Sequence, residues 1–189
     1  ATETNKFNCM SFIPEGFASS ENDARSKYFK PAKNVTSKIR IVCETPVVGF
    51  IQWTQENKPE RWAREAIAPV KNWRPDERPK KFVAVVVWNY DLESLQIWEI
   101  TQRTIIDVLD NLSKDDDFGH PGNYDLKITR RGEGLETTYQ TQAVKSEIPA
   151  DAMKAMDETP IVLEALFDNS DPFANPVVAN PVVSENPFK

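Results

Sequence analysis

Histidine, cysteine and long apolar runs are what this chain has least of. Its one histidine, His120, lies in a Gly/Pro turn, where a surface role is expected rather than a general base. The two cysteines, Cys9 and Cys43, are 34 positions apart and have no partners at metal-ligand spacing. Reduced thiols are therefore expected, not a zinc site or a disulfide framework. The run Asp115 to Asp117 follows a helical segment and has no second carboxylate cluster to complete a cation site. There is no G-x-x-x-x-G-K-S/T phosphate loop and no Ser/His/Asp set. These absences argue against an enzyme, and no cofactor, metal or small-molecule substrate is expected. No apolar stretch approaches the ~18 residues of a membrane span, and no export signal is legible. The expectation is a soluble, cytoplasmic protein without a membrane partner.

What is present is charge, unevenly placed. The formal net charge of the 189 residues is −6. Residues 25–82 nevertheless carry 14 Lys/Arg against 6 Asp/Glu, while residues 146–189 carry 2 against 8. A basic block followed by an acidic end suggests a polyanion partner for the first half only.

Periodicity predicts an all-β domain with minor α. Residues 1–24 lack any pattern and read as an N-terminal arm. "SKIRIVCET" and "VVGFIQWT" alternate as one long strand, with Gly49 at a bulge or bend. The segment from 55 to 81 holds four prolines and reads as a long loop with a helical turn near 61–66. "FVAVVVWNY" is apolar on both faces, hence a central strand, and pairs with "LESLQIWEI" across a tight turn. A helix capped at Thr101 presents Ile105, Val108, Leu109 and Leu112 on one side. "YDLKITR" and "LETTYQTQAV" form a second hairpin, and "PADAMKAM" a short helix. Five strands with a helix between the third and fourth is the order of an OB-fold barrel, assigned to residues 25–150. Residues 151–189 are left as a short helix and an acidic, disordered tail.

Such barrels bind oligonucleotides on the second and third strands and on the loops between strands 1–2 and 4–5. Single-strand binding requires cations for phosphates and aromatic faces for bases. The long loop supplies Lys58, Arg61, Arg64, Lys71, Arg74, Arg78, Lys80 and Lys81 with Trp62 and Trp73, and the last hairpin supplies Arg130 and Arg131. Lys38 and Arg40 on the first strand and Lys127 on the fourth are expected to point outward. If the central hairpin turns at Leu92–Glu93, Tyr90 faces Leu95 and Trp88 faces Ile97 in the core. Trp98 then stands among amides on an open face, as the foremost stacking candidate; one residue more in the turn would flip the assignment to Trp88 and Tyr90. Trp53 continues the Ile51 face and is expected in the core.

The blocks "YFKPAKNVTSKIRIV", "PKKFVAVVVWNYDLESLQIWEITQRTI" and "DFGHPGNYDLKITRRGEGLETTYQ" resemble the replication single-stranded DNA-binding proteins of tailed bacteriophages, over about residues 27–142. The resemblance implies an OB-fold that coats single strands in replication, recombination and repair in the host cytoplasm. The end of the chain is similar to the tails with which bacterial single-stranded DNA-binding proteins dock replication and repair partners. Asp168, Asp171, Pro172 and Phe173 match that pattern, and Pro187 and Phe188 repeat it before a departing Lys189. An OB-fold adaptor that binds only proteins is the rival reading.

Overall fold

The structure, a computed structural model, describes residues 27–174. The predicted N-terminal arm and the positions of Pro187 and Phe188 lie outside the described residues. The chain is mostly β, and seven antiparallel strands form one open sheet. They are β1 (Thr36–Ile41), β2 (Val47–Trp53), β3 (Pro59–Ala63), β4 (Lys80–Asn89), β5 (Ser94–Ile100), β6 (Tyr124–Arg131) and β7 (Thr138–Lys145). Helix α1 (Arg103–Ser113) joins β5 to β6, and α2 (Ala150–Glu158) follows β7. None of the described helices is long and apolar enough to cross a membrane.

β4 is the hub. One of its edges carries β2 from Ile51↔Lys80 to Val47↔Ala84 and then β1 from Ile41↔Val87 to Ile39↔Asn89. Its other edge carries β5 over the whole of that strand. The sheet continues from β2 to β3 and from β1 to β6 and β7. A run of Val, Ala and Phe with no outward-facing polar position suits this place, because only a strand covered on both faces tolerates it.

The strand count differs from the expected five for two reasons. The single long strand is broken over residues 42–46, so it counts as β1 and β2. In addition, the long loop is not helical at 61–66; residues 59–63 return as β3 beside β2, after a turn in which Asn57 adopts φ 62°. Gly49 is needed for close approach rather than for a bulge. A Cβ there would lie 2.2 Å from the Trp62 carbonyl oxygen. The β4–β5 turn is also longer than expected and pairs Trp88 with Leu95, a register shifted by two. An even shift preserves the faces, so Trp88 and Ile97 still share one side and Trp98 takes the other.

Both faces of the β4–β5 region are buried. On the first, Ile39, Ile41, Val85, Val87, Trp98 and Ile100 pack with Leu126 and Ile128 of β6 and with Ile105 of α1. This helix is capped at Gln102, one residue beyond the expected Thr101, without a side-chain hydrogen bond. On the second face Phe82, Ala84, Val86, Trp88 and Ile97 meet Ala152 of α2 and Leu163 and Leu166 of a 3-10 turn over Leu163–Asp168. The segment after α2 is thus a strap on the sheet. Truncating Leu166 to Ala should cost about 2–5 kcal/mol of stability, whereas Glu164→Ala on its exposed side should stay within about 0.5 kcal/mol. Equal midpoints for the two variants in urea denaturation would show that the strap is not packed as described.

Candidate functional site

An open groove of about 1000 Å³ lies among the described residues. Tyr28, Phe29 and Lys30 enter it from the segment just before β1, held in a parallel bridge to β5 through Phe29 N–H to Ile97 O at 2.8 Å and Ile97 N–H to Lys27 O at 2.9 Å. Trp53 of β2, Arg61 of β3 and Lys80 of β4 line it as well, with Glu99 of β5. Arg61 is clamped there: its Nε and Nη2 donate to the Glu99 carboxylate at 3.0–3.2 Å, and its Nη1 donates to Asn169 Oδ1 at 3.2 Å. The Arg74 guanidinium lies 5.2 Å from the centre of the Trp53 ring, a cation–π contact on an aromatic that reaches the groove.

The cations read as one loop patch are divided between two faces of the β2–β3 hairpin. Successive register pairs point to opposite sides. Ile51, Arg61 and Lys80 therefore share one face, while Phe50, Trp62 and Lys81 share the other. On that second face Trp62 is 7 % exposed, its ring 5.9 Å from Phe50 and 5.9 Å from the half-buried Trp73. The predicted pair of loop tryptophans is thus an aromatic cluster of the hairpin, and Trp62 offers no free face to a base. Lys58, Arg64, Lys71 and Arg78 are exposed around it, with Lys58 paired to Glu56, Arg64 to Glu65 and Lys71 to Glu60.

Trp98 requires a plain correction. It is 2 % exposed and meets Phe29 edge-to-face at 5.4 Å, because its side of β5 looks into the first core cluster. The neighbouring amides do not open that face; Asn89 and Gln96 hydrogen-bond to each other at 2.9 Å. Trp53, in contrast, was expected in the core and is half-exposed beside the groove.

Arg40 is the second correction. It alternates away from Ile39 and Ile41 as expected, yet it is 3 % exposed. Its Nη1 donates to Asp125 Oδ1 at 3.1 Å and its Nη2 to the Gly122 carbonyl at 2.8 Å. Tyr90 O–H donates to the same carboxylate at 2.7 Å, and Lys38 lies 3.1 Å from its other oxygen while resting over the Tyr90 ring. Arg40 is a structural charge, and Lys38 is partly spent on the same carboxylate. Lys127, which sits opposite Lys38, is exposed, as are Lys81 and Arg131, while Arg130 is half-buried. Burial alone would push the Asp125 carboxyl up, but hydrogen bonds from Ser146, Tyr90, Lys38 and Arg40 outweigh it and hold it below its usual value. Burial first, then the bond to Asp125, pushes the Tyr90 phenol up to about 12.

The first Pro-Phe motif is not free. Pro172 is fully buried, and its carbonyl accepts from Val162 N–H at 2.9 Å. Asp171 pairs with Lys27 at 3.0 Å, and that ammonium lies 5.5 Å from the centre of the half-buried Phe173 ring. Pro172 and Phe173 therefore close the strap against the second core cluster, and Asp168 sits exposed at its turn. Seven of the eight acidic residues from 146 to 189 fall at or before Asp171, so the acidic end is mostly part of the packed body. Residues missed by sequence reasoning are Tyr28 and Lys30, whose only local signal was the aromatic–aromatic–cation run ahead of the first strand, and Trp53, which was assigned to the core.

No family model, curated protein or solved structure matches the chain. Among the described residues no group of acidic, His and Cys side chains converges as a metal site.

The Asp125 cluster makes a signed prediction. A folded carboxyl held below its ordinary value of about 3.9 contributes stability above that pH and loses it as pH falls through the folded value. Acid titration of stability should show this loss in the parent chain and a flatter limb in Asp125→Asn. At neutral pH, Asp125→Asn leaves Arg40 buried without its counter-charge and should cost about 3–5 kcal/mol, read by chemical denaturation.

Proposed function

We propose that this chain binds single-stranded DNA in the groove bounded by Tyr28, Trp53, Arg61 and Lys80. It is not an enzyme in this reading but a coating protein of the kind used in phage replication, recombination and repair in the host cytoplasm. The observation that carries it is the joining, in one open groove, of Lys30, Arg61 and Lys80 with the rings of Tyr28 and Trp53. An unpaired strand offers phosphates to the first set and unstacked bases to the second. Half-buried Arg74, resting over the Trp53 ring, extends the positive border.

The strand order supports an OB-type barrel as the finer description. Taken together, β1 and β2 act as one long bent strand along β4, β5 serves as the third, and α1 precedes β6 and β7 as the fourth and fifth. In such a barrel the outer face of the second and third strands receives the oligonucleotide. Here the strap covers part of it through Leu163 and Leu166, which confines the groove to the border of that face. With Pro172 and Phe173 engaged in the fold, we place the docking of replication or recombination partners on Pro187 and Phe188.

Fluorescence titration with oligo-dT at several salt concentrations tests the reading. The logarithm of affinity should fall linearly with the logarithm of salt, and Lys80→Ala should reduce that slope by about one. Trp53→Ala should cost about 1–3 kcal/mol of binding with the fold intact. A response independent of salt would remove phosphate-driven binding. Exposed apolar tips at Ile67 (95 %), Val70 (98 %) and Leu135 favour the second reading, a protein-binding adaptor. Absence of any oligonucleotide binding would leave that one standing.

A further inference from the structure

A sheet edge is a row of unpaired N–H and C=O groups that another strand can complete unless the chain defends it. This sheet ends on three strands, β3, β5 and β7. β3 is defended by its length and composition: five residues that include Pro59, Glu60 and Arg61. β5 is covered, since Phe29 N–H donates to Ile97 O and Ile97 N–H to Lys27 O along its outer edge. β7 has neither protection. Its eight residues pair with β6, and among the described residues no other segment exchanges a backbone hydrogen bond with it. It holds no proline and a single charge, Lys145, at its last position. Its two faces are accounted for. Tyr139 and Ala143 turn to the first core cluster with Ile106, Leu109 and Leu112 of α1, and Thr138, Gln140 and Gln142 are exposed on the other side. What is left open is the edge itself, roughly 26 Å long at ~3.3 Å per residue, with about every second residue directing its N–H and C=O outward.

We propose that β7 pairs antiparallel with the β7 of a second copy of this chain, joining two sheets into one across a twofold axis. An axis normal to the sheet keeps the α1 sides of both copies together. Centred on β7, it places Thr141 opposite itself, Gln140 opposite the second copy's Gln142, and Tyr139 opposite its Ala143. Thr138 then meets Val144, and Lys145 falls beyond the paired stretch. No like charges oppose each other in this register, so a self-pairing that a charged strand would resist is open to this one. Thr, Tyr and Val also suit a paired strand by their own preference. Residues 175–189 are a poorer occupant of the edge, because Pro176, Pro181 and Pro187 each lack the N–H that a ladder uses. No residue of β7 lines the groove, so pairing leaves one open groove on each copy. The inference does not depend on what that groove binds.

Sedimentation equilibrium of the full chain tests it. The mass should rise with concentration from one chain to a limit of two. Gln140→Glu combined with Gln142→Glu sets carboxylates opposite each other across the axis. Within one copy the same positions face Thr129 and Lys127, which accept the new charges. The double variant should weaken the pairing about tenfold or more with its urea midpoint unchanged. Amide hydrogen exchange supplies a second readout that needs no variant: protection along the outer edge of β7 should fall when the parent chain is diluted. If the double variant does not fold, this dilution series decides. A single-chain mass at tens of micromolar overturns the inference, as does a limit above two chains. So does an unchanged dissociation constant in the folded double variant. Protection of β7 that persists on dilution overturns it as well, since a segment of the same chain then occupies the edge.

Discussion

β4 is the interaction on which the rest depends. It is paired along both edges and buried on both faces, with β1 and β2 on one side and β5 on the other. Because its two neighbours on one edge are consecutive strands, the chain between them must bend, and the sheet bends with it. That bend faces Ile39 and Ile41 toward Trp98 and Ile100 in one cluster. It leaves Phe82, Ala84 and Trp88 on the other side, where an apolar surface of that size demands a cover. The strap of residues 159–174 supplies it. The groove then exists as the part of the surface that neither α1 nor the strap occupies.

Charge is organised by the same geometry. A buried guanidinium requires a counter-charge and hydrogen-bond partners, and the Arg40 Nη atoms have Asp125, Ser146 and Gly122, although its buried Nε has none. Arg61 is half-way between this state and a surface cation. It is ion-paired with Glu99 and bonded to the strap at Asn169, yet it remains in the groove lining. In the proposed reading, a phosphate would compete there with Glu99 for a guanidinium that is already oriented, so little side-chain freedom would be lost on binding. Asn169 also adopts the left-handed conformation, φ 59°, at the end of the 3-10 turn, a position open to asparagine more readily than to most residues.

Much of the strand pattern was legible. Alternation marked β1, β2, β6 and β7, and the two-sided apolar run marked β4 as central. β3 was missed because Pro59, Trp62 and a dense set of charges mask its alternation; its pairing with β2 stabilises it where propensity does not. The groove was less legible than the fold. Its cations were found in Arg61 and Lys80, but Trp53 was assigned to the core and Tyr28 and Lys30 to no role. A residue on the face of an edge hairpin looks the same in sequence whether that face is covered or open.

The sequence by itself determined which residues share a face, because side chains alternate along a strand whatever lies beside it. It also determined the balance of charge, basic through residue 82 and acidic after 146. Only the tertiary structure decided which faces meet solvent. Trp98, Arg40 and Phe173 each had the chemistry of a surface contact and were claimed by the interior, since covering both sides of β4 requires elements distant in the chain to come and pack there.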